Sequence, residues 1–409
     1  MTHSQYRKKF AMAAISLAFT CASFAQDAST SQPKDAKPAD QTAAPAAPAA
    51  PAAPTPLPTP STIGPLQLAP PTNFEAGPLG KYSVNGAATG IGLFQNNAVG
   101  SNNPQEGAFT NAFIFFQKPT GWFQFYVQAG AYDLPSLGSA FISNGTTNDS
   151  LYGPVPVAFG RLVWKNTNIM FGILPTLIGA ESTFSFQNMN IERGLLWNQE
   201  NAINRGVQIN QTLGKFTASL SYNDGFYSNR YNWLTGALTY TNGPHAVSFT
   251  AGGNLGQTNW QSLKTPLQNN SMIFDLIYTY TKGPWVIQPY VQYTDVPTNL
   301  KAGIPQGAST WGGAILASRI LKKGFSLTGR WEYISSGGNL ASNSANVLYG
   351  PGSTAWSLTA TPTYQYKKFF TRTDISYVSA GNVTPGSGFG TYGFKTNQTR
   401  GVVELGFLF

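Results

Sequence analysis

The sequence predicts an all-β fold, a transmembrane up-and-down antiparallel β-barrel of about sixteen strands behind a disordered N-terminal tether. Three observations predict it: segments with period-two alternation, connections that alternate between short and long, and a composition poor in charge but rich in glycine and aromatics. Of 409 residues, 10% are charged, 13% are aromatic and 43 are glycine. Membrane helices would need repeated apolar runs of roughly 20 residues, and no such run occurs.

The chain opens with a basic segment (Arg7, Lys8, Lys9), an apolar stretch from Phe10 to Thr20 and small residues around Ala25. That order is a secretory signal peptide spanning 1–25, with cleavage expected after Ala25. The single cysteine, Cys21, lies before that site. Thr20 precedes it where a lipoprotein signal wants a smaller residue, so the mature chain is expected to carry neither lipid nor thiol and to form no disulfide. Removing the three leader cations lowers the formal charge from +9 to +6. The remaining basic residues are scattered singly, without the dense patch that grips a phosphate backbone, which argues against nucleic acid.

Residues 26–80 form a Pro/Ala tract with Ala-Ala-Pro units between Ala43 and Pro54. Such a tract has too little apolar surface to offset its ordering entropy and is expected to be an extended spacer on the periplasmic side.

From 81 to 409 the texture is that of strands. Phe325, Leu327, Trp331 and Tyr333 share one face of their segment, while Ser326, Thr328, Arg330 and Glu332 share the other. Thr371 to Tyr377, Phe216 to Tyr222, Phe274 to Tyr280 and Arg400 to Phe409 repeat the pattern. Alternation alone also suits a soluble sandwich; the connections discriminate. Short turns at Asn166, Gly214-Lys215, Asn242-Gly243-Pro244, Lys282-Gly283-Pro284 and Lys367-Lys368 are separated by long polar segments such as Asp133 to Pro154 and Gly381 to Asn397. A barrel with tight periplasmic turns and long outer loops produces this rhythm. Aromatics crowd the short turns, among them Trp122, Trp164, Phe216, Trp285, Phe325, Phe369 and Phe370, as an interfacial girdle would. The chain ends on Phe409 with apolar residues at alternate positions, similar to the C-terminal signature that the barrel-assembly machinery reads.

The stretch GILPTLIGAE from Gly172 to Glu181, then Asn188 to Gly194, Ala202 to Val207 and Ser221 to Phe226, resembles the β-barrel porins of the OmpL-like family. The resemblance implies an outer-membrane barrel with a pore role, spanning most of Lys81 to Phe409.

From the residues themselves, Glu181 to Arg205 is an unusually long connection carrying Glu181, Glu192, Arg193, Glu200 and Arg205. Long connections are usually functional or disordered. This one is expected either to fold into the lumen as a constriction whose charges set a local field, or to pack over the rim as an ordinary outer loop. Opposite the aromatic faces lie Arg161, Asp275, Arg319, Arg330, Glu332, Arg372, Asp374, Arg400 and Glu404, which are expected to line the pore. Charge facing hydrocarbon costs about 2–4 kcal/mol at the midplane. They would give either a weakly anion-preferring wall or mutually neutralising pairs.

No catalytic set emerges. Only His3 and His245 could serve as imidazole bases; the first leaves with the leader and the second sits at a short turn. No cofactor or metal is expected. The expected activity is passive diffusion of small polar solutes across the outer membrane, with lipid and lipopolysaccharide around the barrel and a homotrimer as a fold-level analogy. The alternative is a structural or adhesive barrel with a plugged lumen and partner-binding outer loops.

Overall fold

The computed structural model describes residues 57, 62–256 and 266–409. The expected signal peptide, residues 1–25, and nearly all of the expected tether up to residue 61 lie outside them. A short strand, β1 (Thr72–Glu75), precedes sixteen longer ones. These are β2 (Lys81–Gln95), β3 (Gln105–Lys118), β4 (Phe123–Tyr132), β5 (Val157–Trp164), β6 (Thr167–Pro175), β7 (Ile203–Leu213), β8 (Phe216–Asn223) and β9 (Trp233–Asn242). After them come β10 (His245–Asn254), β11 (Met272–Lys282), β12 (Trp285–Val296), β13 (Ala308–Ile320), β14 (Phe325–Ser336), β15 (Thr354–Tyr366), β16 (Phe369–Gly381) and β17 (Asn397–Leu408).

From β2 onward each strand pairs antiparallel with the next. The last returns to the first, from Arg400 opposite Gln95 to Leu408 opposite Ala87. This sixteen-stranded closure leaves no barrel edge, the condition for backbone amides to be satisfied inside a bilayer. Beyond the ladder, Gly86 and Phe409 exchange both backbone hydrogen bonds, at 2.6 and 3.0 Å, so the terminal residue itself seals the seam.

The rhythm of the connections follows from turn chemistry. Five hairpins at one end have two-residue turns: Lys165-Asn166, Gly214-Lys215, Gly243-Pro244, Gly283-Pro284 and Lys367-Lys368. Each opens on a residue with φ between 52° and 59°, the left-handed start that matches the twist of the flanking strands. The long loops all emerge at the other end.

Side chains sort as the alternation predicts, with apolar residues outside. Leu327 and Trp331 are 49% and 48% exposed, whereas Thr328 and Arg330 between them are 1% exposed. A soluble sandwich would reverse that order. Trp122, Trp164, Phe216, Phe325, Tyr366 and Phe369 stand exposed at the short-turn end, forming the expected aromatic girdle. Phe370 leaves it: it is buried and packs inside with Phe113 and Phe115.

The end of the Pro/Ala-rich region is built onto the barrel. β1 pairs with the start of β2, Thr72 opposite Val84. Further back, Gln67 exchanges hydrogen bonds with the Gln365 side chain at 2.8 and 2.7 Å, and Leu66 is fully buried. Composition shows only that this stretch has no core of its own. It cannot show that the barrel offers one.

Candidate functional site

The connection between β6 and β7, residues 176–202, folds inward and is held by two kinds of anchor. On one side it presents aromatic rings to β3 and β4. Phe184 sits edge-on to Phe113 at 4.8 Å and to Tyr132 at 5.4 Å, and Phe186 stacks on Phe115 at 5.6 Å. On the other it meets the charged inner faces of β14 to β17.

There Arg330 donates to the Glu181 carboxylate at 2.7 Å and to the Glu192 carbonyl at 2.6 Å. Asp374 accepts from the backbone amides of Ile191 and Glu192, both at 2.9 Å, and from the Thr361 hydroxyl at 2.6 Å. Glu332 accepts from the Leu195 amide at 3.1 Å and from the Ser357 hydroxyl at 2.6 Å. Arg372 bridges Glu404 at 2.6 Å and donates to the carbonyls of Ser185 and Asn188. Arg400 pairs with Glu192 at 2.9 Å. These wall residues sit at alternate strand positions, which is what brings them onto one inner face. Each of these ion pairs is almost wholly removed from water, so its attraction is weakly screened but its desolvation is costly.

Within the loop, Arg193 donates to the Thr183 carbonyl at 2.6 Å and lies over the Trp197 ring at 4.7 Å. Burial pulls its guanidinium down to about 10, against the raising influence of Glu181, Asp133 and Glu192. A second loop reaches the same place from between β4 and β5. Leu137 and Arg193 are joined through their backbones at 2.9 Å, and Arg400 donates to the Ser136 carbonyl at 2.8 Å. From the short-turn end, Ile63 donates to the Gln187 carbonyl at 2.7 Å. A β-carbon on Gly64 would lie 2.3 Å from the Asn188 carbonyl oxygen, so only glycine allows that approach. Residues 62–68 thus run beneath the inward loop and divide two cavities, one of about 250 Å³ beside Thr176 to Gln187 and one of about 480 Å³ opening past Gly283 and Ser318.

Most of the charged residues expected to face the lumen do so, and two do not. Arg319 shares the outward parity of Ile315, is exposed, and stacks over the Trp285 ring at 5.0 Å. It lies at the short-turn end, where a guanidinium can reach the headgroup layer, and is not pore-lining. Arg205 belongs to β7 and has the parity of the exposed Val207; it pairs with Asp224 at 2.8 Å and lies 3.9 Å from the Tyr227 ring. It therefore braces an outer loop and is no part of a constriction. Arg161 faces inward but donates to Gln124 at 2.9 Å on the neighbouring strand, apart from the central network. Asp275 accepts from the Gly179 amide at 3.0 Å. Asn188, Asn190, Ser136 and Ser185 are neutral members of the network that a search for charges passes over, although each bonds a wall strand or a facing loop. Among the described residues no group of three or more His, Cys, Asp or Glu side chains is arranged to hold a metal.

The barrel region coincides with a known family: the pattern described as "Putative beta-barrel porin-2, OmpL-like" matches residues 81–409, the whole of β2 to β17. The chain belongs to that family. No curated protein sequence matches it. Solved structures similar to this OmpL-like barrel include an anion-selective porin from Comamonas acidovorans, 12% identical over 80% of this chain and 99% of that one, with a TM-score of 0.57. The outer membrane channel DcaP of Acinetobacter baumannii is 10% identical over 83% and 100%, with a TM-score of 0.55. A loop L8 deletion mutant of OmpT, an outer membrane protein of Vibrio cholerae, is 12% identical over 80% and 98%, with a TM-score of 0.52. At such identities the likeness establishes the general porin-like fold of the OmpL-like barrel.

Proposed function

We propose that this barrel is a passive pore of the bacterial outer membrane for small polar solutes, narrowed by residues 176–202. The supporting observation is the pairing of an apolar outer belt with a charged inner wall onto which that loop is fastened by Arg330, Arg372, Arg400, Glu332 and Asp374. The outer belt would face lipid and lipopolysaccharide, and Phe409 would be read by the assembly machinery. A homotrimer belongs to the same proposal and is tested by cross-linking in membranes.

The charge inventory of the lumen weighs against anion preference. The buried arginines of the lumen, Arg161, Arg193, Arg330, Arg372 and Arg400, are outnumbered by Asp133, Glu181, Glu192, Glu200, Asp275, Glu332, Asp374 and Glu404. Three of those arginines are also locked in ion pairs. A path with little ion preference, or a cationic one, fits this inventory better. Planar-bilayer recording of the refolded chain tests the reading: discrete steps with a reversal potential near zero or cation-leaning are expected, and clear anion selectivity would refute that balance.

One observation favours the plugged alternative: Arg330, Glu332, Arg372, Asp374 and Glu404 are at most 1% exposed. Liposome swelling with sugars of graded size separates the two, since a plugged barrel passes none.

A further inference from the structure

Most of the central lumenal carboxylates are answered by an arginine or by backbone amides. Glu200 has neither, and Asp275 has no arginine and only the Gly179 amide on one oxygen. Both carboxylate oxygens of Glu200 and one of Asp275 are buried without a hydrogen-bond partner. The charged groups that act on Glu200 are all acids: Asp275 first, then Glu181 and Glu332. Asp133, whose oxygens are likewise unpartnered, differs in having the Arg193 guanidinium before it.

The two carboxylates converge on one glycine. The Gly179 amide donates to Asp275, and the site of a β-carbon on Gly179 lies 1.7 Å from a Glu200 carboxylate oxygen. The neighbouring wall turns two more oxygens inward. Gln292 stands opposite Asp275 in the β11–β12 register; its amide nitrogen donates to the Leu196 carbonyl, which leaves its side-chain oxygen unpartnered. Tyr290, two positions along the same inner face and 3% exposed, has an unpartnered hydroxyl whose strongest acidic neighbour is Glu200.

Two buried, adjacent carboxylates with three unpartnered oxygens and no ion-pair partner repel each other and are costly to desolvate, so they must take up positive charge. We propose that Glu200 and Asp275, supplemented by the Tyr290 hydroxyl and the Gln292 side-chain carbonyl, form a subsite inside the barrel for a hard divalent cation of the calcium type. An all-oxygen donor set suits such an ion, and two carboxylates balance its charge. The competing occupant is a proton shared by the pair. Burial, followed by Asp275, holds the Glu200 carboxyl well above the usual carboxylate range, with Glu181 on the same loop and Glu332 on β14 adding to the effect. Cation uptake must displace that proton, so it weakens as pH falls.

The site does not depend on whether the lumen conducts, which keeps its test separate from that of the pore. The full chain is refolded in detergent with terbium(III), which replaces calcium and luminesces when a nearby Tyr290 or Trp197 ring transfers energy to it. Saturable emission that calcium competes away is expected, weaker at lower pH and reduced at least about tenfold in Glu200→Gln and in Asp275→Asn. Both variants remove a buried charge without changing shape, and heat-modifiable migration on electrophoresis verifies folding. Emission that is absent in correctly folded wild type, or unchanged in both variants, overturns the proposal; the first result assigns the pair to a proton. Bilayer recording of the same preparations judges the pore independently, because a silent wild type counts against the channel and not against terbium binding.

Discussion

Arg372 and Arg319 are the same residue type on neighbouring parts of one cylinder, and their surroundings assign them opposite weights. Arg372 is buried against Glu404 and two loop carbonyls, so Arg372→Met would strand the Glu404 charge and free the carbonyls of Ser185 and Asn188. Breaking a buried pair from one side costs about 3–5 kcal/mol, which should appear as a lower urea midpoint for unfolding from lipid vesicles. Arg319→Ala removes only an exposed stacking contact with Trp285, for which about 0.5–1 kcal/mol is the expected loss. Equal midpoint shifts for the two variants would contradict the assignment of their faces. Which arginine faces inward was legible from parity at Arg330 and Arg372, where four or more alternating positions agree. At Arg319 and Arg205 it was not. Each lies near the end of its strand, where the charge draws attention and the parity count is short.

The loop of residues 176–202 and the strap of residues 62–68 meet inside the barrel, and each can be removed without touching a strand. Deleting 184–201 is expected to raise single-channel conductance while leaving heat-modifiable migration intact; an unchanged conductance in an inserted barrel would defeat the constriction. Deleting 57–68 removes Ile63 and Gly64 from beneath Gln187 and joins the two cavities they divide, so conductance should rise by a smaller factor. If deleting 57–68 leaves conductance at the wild-type level in an inserted barrel, the strap does not narrow the path. The inward loop was half legible in the sequence: its length and its charges marked it, but an outer position fitted those equally well. The strap was not legible at all. Its Pro-rich composition signals only the absence of a core of its own, and the Gly64 requirement arises from an Asn188 carbonyl distant in sequence.

The cylinder as a whole makes its own prediction. Cysteines placed at Leu327 and Trp331, on the outer belt, should resist a membrane-impermeant thiol reagent and be quenched by lipid-borne probes, whereas free aqueous labelling there would invert the barrel. The sequence by itself determined the strand number to within a hairpin, the end at which the short turns lie and the apolar outer face. Those features are written locally, in period-two alternation and in the two-residue turns. Only the tertiary structure decided where the loops go and how the charges are answered. Closure brings Asp133, Glu181, Asp275, Arg330 and Arg400 into one lumen from widely separated strands and loops, and whether a carboxylate meets a guanidinium, an amide or nothing depends on distances of a few ångströms that no local pattern encodes.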